Sequence, residues 1–229
     1  MYAPLPRIET VLPGPLVPLP GDEAALVGLA ALAVVMIPFL WPLVEHFSTM
    51  AHEGAHALTG SLMGFTVTGV ILNIDSTGGT GMFVTPGLRN ILTGFVGYLG
   101  PSAFGLWAAK LIETGHVVTV LWIAVIFLVL LLFLIRKSFG IISVPAAIAA
   151  LALVMRYSHS GVEEIIIYGM TWLLLLSGVR VAIADGAAAG DAVKLSMATG
   201  IPRLVWALLW LAGTVLAVII GGKWLVLRS

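Results

Sequence analysis

The 229-residue chain contains no cysteine. That absence excludes a disulfide framework, a thiolate metal site and a cysteine nucleophile together, so any metal must be held by His, Asp or Glu. Charge is also scarce: 10% of residues are Asp, Glu, Lys or Arg, against about 25% in soluble domains. The 11 basic and 11 acidic side chains cancel, which removes the cationic footprint expected of a nucleic-acid binder. Apolar residues fill the space, at 60% of the chain and a mean hydropathy of +1.11. Residues 1 to 20 hold six prolines and lack the basic stretch and apolar core of a cleaved signal peptide. The expected organisation is a flexible Pro-rich tail over residues 1–22, then a single membrane domain over 23–229.

Apolar runs long enough to cross a bilayer lie near residues 24–43, 88–112, 116–135, 138–155, 163–184 and 204–226. A seventh segment, 45–63, reads as helix although it carries Glu45, His46, His52, Glu53 and His56. The fold class this predicts is an all-α polytopic membrane protein with six to seven transmembrane helices. Polar groups inside a bilayer are costly and face the bundle interior. The 3.6-residue period puts Glu45, Thr49, His52, His56 and Thr59 on one stripe. Between Phe65 and Pro86 the pattern changes to β-branched residues, then Ser76-Thr77-Gly78-Gly79-Thr80-Gly81, then Met82-Phe83-Val84, which predicts a small β-hairpin over about 66–85. Lipid does not tolerate an open strand edge, so the hairpin belongs at the interface or in a protein-lined cavity, where its edge could bind an extended peptide.

Seven crossings would set Arg7, Arg89, Arg136, Lys137, Arg180, Lys194 and Arg203 on one side, against Lys110, Arg156, Lys223 and Arg228. The positive-inside rule then makes the first side cytoplasmic, with the N-terminus inside, the C-terminus outside and the histidines opening toward the cytoplasm. A multi-pass protein of the cell membrane is the expected localisation.

His52-Glu53-Gly54-Ala55-His56 is an H-E-x-x-H sequence. Four residues advance a helix by about one turn, so both imidazoles emerge on one face and can bind one Zn²⁺ while Glu53 stands beside them as general base. The bland reading, buried polar residues satisfied by neighbouring helices or a proton relay, fits the spacing less specifically. A catalytic zinc generally takes three protein ligands, and the residues alone leave Asp75, His159, Glu163, Glu164, Asp185 and Asp191 as candidates for the third. His46 stands two turns from Glu53, roughly 10 Å away and too far to ligate. His159, Glu163 and Glu164 read as solvated loop chemistry. Gly94, Gly97 and Gly100 read as small surfaces for close helix packing.

The chain resembles the site-2 protease family of intramembrane metalloproteases, in particular short bacterial members without a regulatory domain. The residues that carry the likeness are Met50 to Leu58 around the motif, the Gly78-Gly79-Thr80-Gly81 hairpin, the Gly97-Tyr98-Leu99-Gly100-Pro101-Ser102-Ala103 run, and Gly190-Asp191-Ala192 followed by Gly200-Ile201-Pro202. The resemblance implies that the third zinc ligand is an aspartate on a late helix, which matches Asp191, with Asp185 of Asp185-Gly186 as the competitor. The family's Gly-Pro motif normally ends in asparagine, whereas Phe104 and Gly105 follow here. The implied activity is hydrolysis of peptide bonds in or beside transmembrane segments of membrane-protein substrates. One zinc per chain would be held by His52, His56 and Asp191, Glu53 would move the proton, and the hairpin would clamp an unwound segment. Two rivals stand beside it: a transporter using His52, Glu53 and His56 as a relay, and a catalytically silent binder of membrane proteins.

Overall fold

Pro38 lacks a backbone N–H and disfavours helical backbone at the residue before it. In the computed structural model of the chain, Ile37 is accordingly extended at φ −80° and ψ 119°, and helix α1 (Gly21–Met36) stops there. Pro42 sits in the first turn of helix α2 (Trp41–Leu62), where its missing N–H would have no intrahelical partner anyway. The two helices meet at 97°. The expected continuous run over 24–43 is therefore two pieces of different helices. Hydropathy conceals the break because Ile37, Phe39, Leu40 and Trp41 keep the average high across it.

The structure describes residues 16–136, 139–157, 161–184, 188 and 190–227. After α2 come strands β1 (Thr66–Leu72) and β2 (Gly78–Phe83), then α3 (Leu88–Glu113), α4 (Val117–Leu134), α5 (Gly140–Tyr157), α6 (Val162–Ala184), α7 (Gly190–Thr199) and α8 (Arg203–Val226). Five helices are long and apolar enough to cross a membrane, and the bent α1–α2 pair makes a sixth span if counted as one. The all-α membrane fold with an inserted hairpin is what the sequence predicts, at the lower of the two expected span counts.

Helix α3 is the central post, packed against α2, α6 and α8. A side chain at Gly105 would strike the Leu175 backbone and one at Gly178 would strike Ser102, so α3 and α6 run antiparallel at close range. Helix α1 runs parallel to α6: the Trp172 indole donates to Ala24 O at 3.0 Å low on the pair, and Arg180 to Val35 O near its other end. Gly21 lies against the backbone of Val226. The start of α1 and the end of α8 thus share one end of the bundle, while the hairpin and α7 occupy the other. With the bent α1–α2 pair counted as one span the crossings number six, where the sequence-based count of basic residues by side takes seven. Of the basic residues in the seven-to-four count, Arg7, Lys137 and Arg228 lie outside the described residues. Gly21, at the start of α1, and the hairpin lie at opposite ends of the bundle, as they would if the bent α1–α2 pair makes one span.

Glu163 and Glu164, expected in a solvated loop, are buried in the first turn of α6. Glu164 accepts the Gly161 N–H and so satisfies a helix-start donor. His159, expected beside them, lies outside the described residues.

The hairpin reverses at Asn73–Thr77, where Ser76 N–H donates to Asn73 O and Ser76 has φ 63°. The glycine-rich run is the second strand itself. β1 and β2 are antiparallel with Leu72 opposite Gly78 and Val70 opposite Thr80, and a bulge falls between Val67 and Gly69. The outer edge of β1 is covered where Arg136 N–H donates to Val70 O at 2.9 Å. Among the described residues, the outer edge of β2 pairs with no strand.

Candidate metal centre and catalytic cavity

Helix α2 carries the two histidines because Gly97 and Gly100 on α3 let it approach. A Cβ at Gly97 would overlap the His56 ring and stand 2.9 Å from His52 Nε2. One at Gly100 would stand 2.5 Å from Ala55 Cβ and 3.2 Å from Ala51 O. Of the glycines expected to serve packing, Gly97 and Gly100 pack against the histidine-bearing face of α2, and Gly94 against Leu195 of α7. Both imidazoles therefore lie at the level of Gly97, nine residues into α3, or roughly 13 Å from its start at a rise of 1.5 Å per residue. On an upright α2 the two would differ in depth by a full turn.

Three side-chain atoms converge there. His52 Nε2 and His56 Nε2 are 3.2 Å apart, and Asp191 Oδ2 is 3.3 Å from the first and 3.0 Å from the second. Among the described residues this is the group of His, Asp or Glu side chains that could hold a metal ion. Hydrogen positions sharpen the point. His56 Nδ1 lies 2.8 Å from the carbonyl oxygen of Thr93, which can only accept, so a neutral ring carries its proton on Nδ1. Nε2 is then a lone pair, facing a carboxylate oxygen and a second imidazole nitrogen. The lone pairs of His56 Nε2 and Asp191 Oδ2, 3.0 Å apart, repel unless a cation or a shared proton sits between them. Two donors bound to one zinc at about 2.0–2.1 Å in a tetrahedral arrangement lie about 3.3 Å apart, which is the size of this triangle.

Asp191 is in the first turn of α7. Its Oδ2 points at the imidazoles and its Oδ1 accepts from Lys194 Nζ at 3.1 Å. Burial works against its charge; the facing histidines and Lys194 outweigh burial and hold the carboxyl well below the ordinary carboxylate range. Of the other candidates, Asp75 sits in the hairpin turn, where bonds from the Thr77 hydroxyl and N–H lower its pKa, and Glu163 and Glu164 are at the far end of the bundle. Asp185 lies outside the described residues.

Glu53 is buried beside the triangle, under β2. The Thr80 hydroxyl lies 2.7 Å from Glu53 Oε2 and 3.1 Å from Glu53 O. Gly78 makes this possible: a Cβ there would stand 2.8 Å from Glu53 Cγ and Oε1. The turn is tied down at its other end by the Thr49 hydroxyl, 2.7 Å from Ser76 O, and by His46, whose Nδ1 meets Ser76 Oγ. His46 thus fastens the hairpin and stays out of the metal group, as its spacing predicts. A cavity of about 710 Å³ joins these parts, with Glu45, Thr49, His52, Glu53, His56, Asp191 and the β2 backbone in its wall. Of the expected polar stripe on α2, Thr59 does not reach it.

Sequence reasoning missed Thr80, Thr93 and Tyr98. The Tyr98 ring packs edge-on against His52 at 4.8 Å and stacks on Trp210 at 4.3 Å, so it backs the first imidazole. Tyr98 stands in the quoted Gly97–Ala103 run, but nothing in that run says which ring it will meet.

Two imidazoles and a carboxylate that could hold a metal ion thus stand beside a buried glutamate and an unpaired strand edge, the parts a metalloprotease site needs. The family-model comparison agrees: residues 25–221 match the model described as Peptidase M50B-like, and the chain belongs to that family. Comparison with curated proteins and with solved structures gave no match.

Proposed function

We propose that the protein is an intramembrane zinc endopeptidase that hydrolyses peptide bonds in or beside transmembrane segments of membrane-protein substrates. The observation that carries the reading is the triangle of His52, His56 and Asp191 atoms with sides of 3.0 to 3.3 Å, closed beside Glu53 in one cavity. A zinc ion held by those three residues supplies a Lewis acid and a water acidified toward a pKa of about 7.

The chain's own residues do the rest. Glu53, aimed by the Thr80 hydroxyl, takes a proton from the attacking water at Oε1 or Oε2 and later passes it to the leaving amine. Thr93 holds the His56 ring in the tautomer that presents Nε2. A helical substrate hides its peptide groups in internal hydrogen bonds, so the scissile segment must unwind. The free edge of β2 offers backbone groups to such a segment, and its Gly78 and Gly79 leave room for the incoming chain. Pairing through backbone groups reads shape more than sequence, which favours a broad substrate class.

The test is cleavage of one reconstituted transmembrane substrate by wild type and by Glu53→Gln at equal zinc content. Glu and Gln have similar volume and helix propensity, so zinc and fold should persist. The rate should fall by about 10² to 10⁴. Equal rates would remove Glu53 from the role of base. A wild-type chain that holds no zinc while folded would favour the relay, and one that holds zinc but cuts nothing would favour the silent binder.

A further inference from the structure

Arg180 is the cation in the body of α6, and no carboxylate partners it among the described residues. A guanidinium four residues from the end of a membrane helix is costly unless something satisfies it. Two groups do. Nη1 donates to Val35 O at 2.5 Å, a carbonyl in the last turn of α1 that the Pro38 break leaves without a helical partner. The guanidinium carbon also lies 4.7 Å from the centre of the Trp41 ring, the first residue of α2. The negative end of the α1 dipole and the face of the indole thus share one cation across the 97° bend.

Trp41 is buried and lines the same cavity as His52, Glu53 and His56. Arg180 lies eleven residues before Asp191, on the helix whose far end leads into α7. We propose that Arg180 is a positioning residue: by gripping the end of α1 and the start of α2 together, it sets the crossing of α2 over α3 and so brings the two histidines into register with Asp191. Among the described residues, no other side-chain hydrogen bond, ion pair or cation–π contact touches both α1 and α2. Arg suits the task where Lys would not, because its planar fork can stack on a ring and donate in plane at once. The zinc half of this inference rests on the metalloprotease reading, whereas the bend half does not.

The absence of cysteine allows a clean spin-label test. Leu29→Cys on α1 and Leu58→Cys on α2 place two labels on exposed positions either side of the bend, in full-length protein reconstituted in bilayers. Wild type should give one narrow distance distribution. Arg180→Gln and Trp41→Leu should each shift and broaden it, Arg180→Lys should do so partly, and Trp41→Phe should stay near wild type. Combining Arg180→Gln with Trp41→Leu should add little, since both break one contact. In parallel, chelator competition should show zinc held about tenfold more weakly in Arg180→Gln, with partial recovery in Arg180→Lys. If Arg180→Gln does not fold, Trp41→Leu carries both arms. An unchanged distribution in the folded variants overturns the latch. A changed distribution with unchanged zinc affinity overturns its coupling to the triad. Absence of zinc from wild type overturns the metal reading and leaves the latch to the distance arm.

Discussion

Gly97→Ala tests whether the site depends on a missing methyl. The new Cβ would overlap the His56 ring and stand 2.9 Å from His52 Nε2, against an ordinary carbon contact of about 3.5 Å. His52 Nε2 must then retreat by about 0.6 Å, and His56 by more. Metal sites hold ligand distances to within about 0.2 Å, so the displacement is several times the tolerance. Neither ring can swing away freely, because Thr93 O holds His56 and Tyr98 backs His52. The zinc dissociation constant should rise by about 100-fold or more, near 2.8 kcal/mol. The fold as a whole should lose the 1–3 kcal/mol typical of an overpacked methyl, about one such step. Gly79→Ala is the control, since nothing lies within 4 Å of its Cβ position. The assay pairs chelator competition for zinc with thermal unfolding in detergent. A folded Gly97→Ala protein that binds zinc like wild type would refute the geometry of the site.

Three further outcomes follow from named contacts. Thr80→Val removes the hydroxyl that aims Glu53 while keeping the volume, so kcat should fall about tenfold with KM little changed, and Thr80→Ser should restore most of it. Asp191→Ala should strip zinc under mild chelation while Asp185→Ala should not; elemental analysis giving the reverse result would move the third ligand. In a vesicle labelling assay, Asp22→Cys and Thr114→Cys should react from one side of the membrane and Ser196→Cys from the other, because α1 starts at the end of the bundle away from the hairpin. Labelling of Asp22→Cys together with Ser196→Cys would mean that α1 and α2 do not make a single bent span.

The sequence by itself determined the class of fold, because long apolar runs with almost no charge have one stable environment, and each of the spans from 88 to 226 begins and ends within about two residues of its expectation. It determined the two histidines and the glutamate as a unit, since a spacing of four on a helix is local geometry. Only the tertiary structure decided how α2 lies. Pro38 and Pro42 announce a break, but the 97° angle comes from what each half packs against, α6 for α1 and α3 for α2, with Arg180 spanning the gap. That angle in turn lets α1 and α2 count as one bent span and puts the start of α1 at the end of the bundle away from the hairpin, which no count of basic residues could reveal. Asp191 is 135 residues from His56, and its meeting with the imidazoles depends on the packing of α3, α6, α7 and α8. Thr80 and Thr93 were illegible for the same reason: a threonine's hydroxyl or carbonyl acquires a task only when another element arrives within 3 Å of it, and pattern along one element contains no information about the distance to the next.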